Sequence, residues 1–159
     1  MALPNKPSPL LYEVIWLGFA VVLAGLVLLP IYGKFPDFPF FTANFVYVLV
    51  AVTITRYLFL LDVSWLRDRL ATQGAISLLL IPLIFWMVQY LNYFITYFDE
   101  QGPDVLTKHM DRDVAKLYLG YLHQEYRFFG VWAVIAALLL PFRLLYNVWV
   151  RYRSGVRRL

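Results

Sequence analysis

Residues 71–98 read ATQGAISLLLIPLIFWMVQYLNYFITYF, 28 positions in a row without a charged side chain. A helix rises about 1.5 Å per residue and crosses the hydrocarbon of a bilayer with roughly 20 mostly apolar residues. The stretch therefore predicts a membrane span with length to spare for tilt or projection. Three other stretches share its character. No charge occurs from Val14 to Tyr32 or from Phe38 to Thr55, and Arg143 is the only charge between Phe128 and Val150. The expected fold is all-α integral membrane: one domain over residues 1–159, a bundle of four transmembrane helices at about 12–32, 42–61, 74–98 and 126–150.

Composition agrees with that reading. Of 159 residues 62% are hydrophobic and 15% charged, which leaves too little polar sequence for an additional soluble domain. There is no cysteine, so disulfides, thiolate metal sites and thiol catalysis are excluded. The net charge of +4 and the isoelectric point near 9.4 arise in short segments beside the spans, where basic residues set orientation, and nucleic-acid binding is rejected. The first apolar stretch ends in Leu-Leu-Pro-Ile-Tyr32 without a small-x-small site, so it reads as a retained span and not a cleaved signal.

The connections carry the remaining information. Pro4, Pro7 and Pro9 keep the first residues from forming helix, and Pro36 and Pro39 force a tight turn over Lys34–Phe41 whose phenylalanines suit the headgroup layer. Asp62–Gln73 forms a short polar connection. Between spans three and four, Gly102-Pro103 marks a break, after which Leu106, Met110, Val114, Leu117, Tyr118, Tyr121 and Leu122 recur at spacings of three and four. That stripe predicts an amphipathic helix over about 103–123, lying on the outer membrane surface and leading into the fourth span.

Counting Lys and Arg on the two sides of four spans puts Lys6, Arg56, Arg67, Arg69, Arg143, Arg151, Arg153, Arg157 and Arg158 with the termini. Lys34, Lys108, Arg112, Lys116 and Arg127 fall opposite. The excess predicts cytoplasmic N- and C-termini, and the absence of cysteine and of a transit pattern points to a bacterial inner membrane.

Several side chains are candidates for more than structure. Arg56 and Arg143 lie inside apolar stretches near their cytoplasmic ends, with Glu13 and Asp62 at similar depth. They read either as an intramembrane charge cluster, with Glu13 paired to Arg56 or Arg143, or as arginines whose stems reach to water. Arg143, Asn147, Arg151 and Arg158 form a basic stripe that, with Arg153 and Arg157, predicts contact with anionic lipid. In span three Gln89, Asn92 and Thr96 fall at three- and four-residue spacing beside Tyr93, a polar patch suited to bonding a neighbouring helix or to lining a path. His109 and Asp113 are four apart and form a weak metal candidate, but His123 would stand about 21 Å further along a continuous helix. No metal or cofactor is expected, and no phosphate loop, HExxH or nucleophile elbow occurs.

The expected function is a non-catalytic subunit or accessory factor of a larger inner-membrane complex, partnered by membrane lipids and by other protein subunits or copies of itself. A small homo-oligomeric transporter or channel is the second reading and predicts that Arg56, Gln89, Asn92 and Arg143 face one cavity. A membrane enzyme acting on a lipid-linked substrate through His109, Asp111 and Asp113 is the third.

Overall fold

The computed structural model describes residues 9–102, 104–108, 110–153 and 155, and every regular element among them is helical. In chain order they are α1 (Pro9–Lys34), α2 (Phe41–Leu60), two 3-10 turns (Leu61–Val63 and Trp65–Asp68), α3 (Leu70–Gln101), the short α4 (Asp104–Thr107) and α5 (Arg112–Arg153). The helices α1, α2, α3 and α5 are each long and apolar enough to cross a membrane.

Helix ends follow local chemistry. The Pro36 and Pro39 rings stop α1 and leave two tight turns, closed by Phe38 N–H to the Phe35 carbonyl at 3.1 Å and by Phe41 N–H to the Phe38 carbonyl at 3.4 Å. Gly102 ends α3 with φ +73°, a left-handed conformation that glycine adopts without a Cβ clash, and its N–H reaches the Phe98 carbonyl at 3.1 Å. Pro30, Pro82 and Pro141 sit inside their helices without ending them.

Helix α5 is the hub. It packs along α2 and α3, while α1 packs mainly on α2. Small side chains make the close approach: Gly130, Ala133, Ala136 and Ala137 are buried on α5, facing Ala43, Tyr47, Ala51 and Ile54 at three- and four-residue spacing on α2. A second α2 face, through Val48, meets Ala24 and Leu28 of α1. The contact seam of α3 is narrower. Its buried residues, Gln73, Leu80, Met87 and Phe94, repeat at intervals of seven, the spacing that keeps one thin line of a helix against its neighbour.

The contacts also fix which helix ends lie together. Glu13 near the start of α1 meets Arg56 near the end of α2, and the end of α5 meets the α2–α3 connection. At the other end Phe38, Phe40, Phe94, Phe98, His123 and Tyr126 form one aromatic cluster, with Phe94 stacked on Tyr126 at 3.9 Å.

Two expectations are corrected here. The Lys34–Phe41 turn does not leave its aromatics at the surface: Phe35, Phe38 and Phe40 turn inward and plug the aromatic end of the core, because the loop is too short to carry them clear of it. The amphipathic segment is not a separate helix over 103–123. Helix restarts at Arg112 and runs unbroken through Arg153, since no residue between them breaks it before the tolerated Pro141. At 42 residues α5 is about 63 Å long, roughly twice the hydrocarbon thickness. Its first turns run past the end of α3, where Leu106 of α4 folds back into the core.

Candidate functional site

Four sets of polar side chains stand out against this apolar background. The first ties α1 to α2. Pro-rich sequence before α1 and the charge-free run after it leave Glu13 as the single acid on the helix, and it faces the end of α2. Its Oε2 accepts from Arg56 Nη1 and from the Tyr57 hydroxyl, the latter at 2.9 Å, while Oε1 accepts from the Trp65 backbone N–H at 3.1 Å. The guanidinium is 5.5 Å from the Trp16 ring and 5.4 Å from that of Tyr57. Arg56 thus turns into the protein and does not extend along its stem to water. The pair closes one side of a cavity of about 170 Å³ between α1 and α2, lined otherwise by Val14, Trp16, Leu17, Val52, Thr53 and Tyr57.

The second set pins the α2–α3 connection to the end of α5. Gln73, fully buried, donates from Nε2 to the Leu66 and Arg67 carbonyls at 2.8 and 3.0 Å, the former shared with the Arg69 backbone N–H. Its Oε1 accepts from Asn147 at 3.1 Å. Arg143 pairs with Asp62 at 3.3 Å and Arg151 with Asp68 at 2.7 Å, both at partly exposed positions. Three members of the basic stripe expected at anionic lipid, Arg143, Asn147 and Arg151, therefore turn towards the protein's own connection. Arg153 is exposed, and Lys6, Arg157 and Arg158 lie outside the described residues. Glu13 and Arg56 come together, as do Asp62 and Arg143, so the four charges form two pairs and not one cluster.

The third set has no counterpart among the sequence expectations. Asn44 of α2 and Glu125 of α5 are both buried, and Asn44 Nδ2 donates to Glu125 Oε2 at 2.6 Å. Asn44 Oδ1 and Glu125 Oε1 have no hydrogen-bond partner. Nearby, Tyr47 donates to the Met87 carbonyl at 2.6 Å and Tyr126 to the Tyr90 carbonyl at 3.3 Å, joining α2 and α5 to α3. Glu125 sits in Gln124-Glu-Tyr-Arg127, a polar run that reads as a solvated connection. The one available signal was its place on the α5 face of Leu122, Tyr126 and Gly130.

The fourth set is the polar patch of α3. Gln89, Asn92 and Thr96 are all exposed. At 3.6 residues per turn they fall about 180° from the Leu80–Met87–Phe94 seam, on the exposed side of α3. Leu78 and Phe85 continue the same outward stripe. Gln89 lies about 5 Å and Asn92 about 10 Å from the midpoint of the helix along its axis. Gln89 and Asn92 therefore face outward, while Arg56 and Arg143 face inward partners: the four do not meet at one cavity.

His109 lies outside the described residues, and Asp111 and Asp113 are exposed. Among the described residues no three His, Cys, Asp or Glu side chains gather at one point. Comparison of the chain with protein-family models, with curated proteins and with solved structures gives no match.

Proposed function

We propose that this chain is a multi-pass, non-catalytic subunit of a larger membrane assembly, with both termini on the cytoplasmic side of a bacterial inner membrane, and that α3 is its docking helix. The observation that carries the reading is the outward stripe of Gln89, Asn92 and Thr96. By contrast Glu13, Asn44, Arg56, Gln73, Glu125 and Asn147 turn inward to partners within the chain. On α3 the amides point away from the protein, at depths where a bilayer offers no hydrogen-bond partner. A helix of a second membrane chain supplies such partners, and each interhelical bond of this kind contributes about 0.6 kcal/mol. The thin contact seam on the inner side of α3 leaves most of the helix available for that role. The orientation is supported by the gathering of Arg56, Arg67, Arg69, Arg143, Arg151 and Arg153 at one end of the helices.

The double variant Gln89→Leu, Asn92→Leu tests this. Both positions are exposed, so the isolated protein keeps its thermal stability in detergent. Loss of two amide bonds weakens the complex roughly tenfold, read as the ratio of partner subunit to this chain after gentle solubilisation of the native membrane. An unchanged ratio, or a wild-type complex containing only copies of this chain, contradicts the reading.

A further inference from the structure

Where α2 and α5 cross, the Asn44–Glu125 pair presents a bookkeeping problem with one economical solution. One hydrogen bond joins Nδ2 to Oε2. The other two oxygens of the pair, Asn44 Oδ1 and Glu125 Oε1, are acceptors without a donor, in side chains 0% and 6% exposed. Buried acceptors of this kind are destabilising, and a buried carboxylate without a cation more so. Among the described residues no cationic side chain is bonded to Glu125. The ion pairs among the described residues use Glu13, Asp62 and Asp68. From α2 the neighbouring titratable group is Tyr47, from α3 it is Tyr90, and α5 itself supplies Tyr121 and Tyr126. Tyr47 and Tyr126 donate to the carbonyls of Met87 and Tyr90, and Tyr121 donates to the Val27 carbonyl of α1 at 2.8 Å. Arg127, two residues on, is exposed on another face of α5.

We propose that Glu125 is a proton-binding site: the folded protein holds it as the neutral acid, its hydroxyl donating from Oε1 to Asn44 Oδ1. A carboxylic acid and a primary amide are complementary in this way, each supplying one donor and one acceptor, and the second bond satisfies both orphaned oxygens at once. The proton comes from water and returns to it on ionisation. When it leaves, two acceptors face each other across the α2–α5 contact, the most extensive in the molecule. That contact then loosens. The pair is thus a proton-operated latch between the two central helices.

The sign of the pH dependence follows. The proton shared between Glu125 Oε1 and Asn44 Oδ1 makes a bond that only the folded protein can form. The folded state therefore binds more protons, and stability falls as pH rises.

Infrared spectroscopy of the detergent-solubilised full chain, with and without ¹³C-carboxyl glutamate, tests this directly. At neutral pH we expect a carbonyl band of un-ionised acid that shifts with the label and is lost in Glu125→Gln. As the pH is raised the band disappears and the thermal midpoint of the wild type falls with it, while the midpoint of Glu125→Gln, whose side chain stays neutral, is flat. The labelled wild type keeps the spectroscopic test valid even where the variant folds poorly. A glutamate signal wholly ionised at neutral pH overturns the proposal, as does a midpoint that follows sodium concentration and not pH, which would assign the two oxygens to a cation.

Discussion

Arg56→Ala is expected to destabilise the protein by about 3 kcal/mol, because it strands the Glu13 carboxylate between α1 and α2 with its cation gone. The two side chains are only 7% and 15% exposed, so little solvent is available to take over the charge. Tyr57 and Trp65 would still donate to Glu13, but two neutral donors do not replace a guanidinium. The double variant Glu13→Leu, Arg56→Met should recover to within about 1 kcal/mol of the wild type, since a buried ion pair exchanged for apolar side chains of similar size is often close to neutral. Thermal unfolding of the wild type, Glu13→Leu, Arg56→Met and the double variant in one detergent measures the cycle. Additive losses would show that the two residues act independently, with the arginine held by water or headgroups. The strong non-additivity expected here identifies the pair as the clasp holding the start of α1 against α2.

The second large effect is expected at Gly130. A Cβ placed there would lie 2.9 Å from Leu91 Cδ1 and 3.5 Å from Tyr47 Cε2, so side chains of both α2 and α3 close over α5 at this glycine. Gly130→Ala asks only the end of the flexible Leu91 side chain to move, and its effect should be small. Gly130→Leu adds three further carbons with nowhere to go, and the strain of overpacking should destabilise by about 3 kcal/mol. Because Tyr47 also donates to the Met87 carbonyl, displacing its ring breaks that link between α2 and α3 as well. Comparing the unfolding of the two variants with that of the wild type checks the contrast, and equal losses for Ala and Leu would mean that the helices do not approach closely at this level.

How much of this was legible in the sequence depends on the kind of signal. Charge-free length is a property of composition, so the four long helices could be read directly from runs such as 71–98. The Glu13–Arg56 pairing was within reach because both residues sit inside apolar stretches at matching depth, where an unpaired charge is improbable. The continuity of α5 was not, since the Gly102-Pro103 break drew the helix start to the wrong place and the polar residues 123–127 looked like a connection. For the same reason Glu125 passed as a solvated acid: its neighbours in sequence are polar, and only the packing of α2 against α5 shows that its own face of the helix is buried. The basic stripe of Arg143, Asn147 and Arg151 was correctly placed on one helix face, but periodicity cannot distinguish a face turned to lipid from one turned to Asp62, Gln73 and Asp68. The Gln89–Asn92–Thr96 stripe shows the same limit, because spacing groups the residues but does not reveal that they face outward.

That outward face is the basis of the functional proposal, and its occupant can be read by contact. A photo-reactive residue placed at Asn92, with another at Val22 on the exposed side of α1 as the reference, and irradiated in the native membrane, reports what touches each position. The account expects one discrete adduct with a different membrane protein from position 92, lost when Gln89 is also replaced by Leu, and only lipid adducts from position 22. Lipid adducts from both positions, or an adduct of two copies of this chain from position 92, would contradict it.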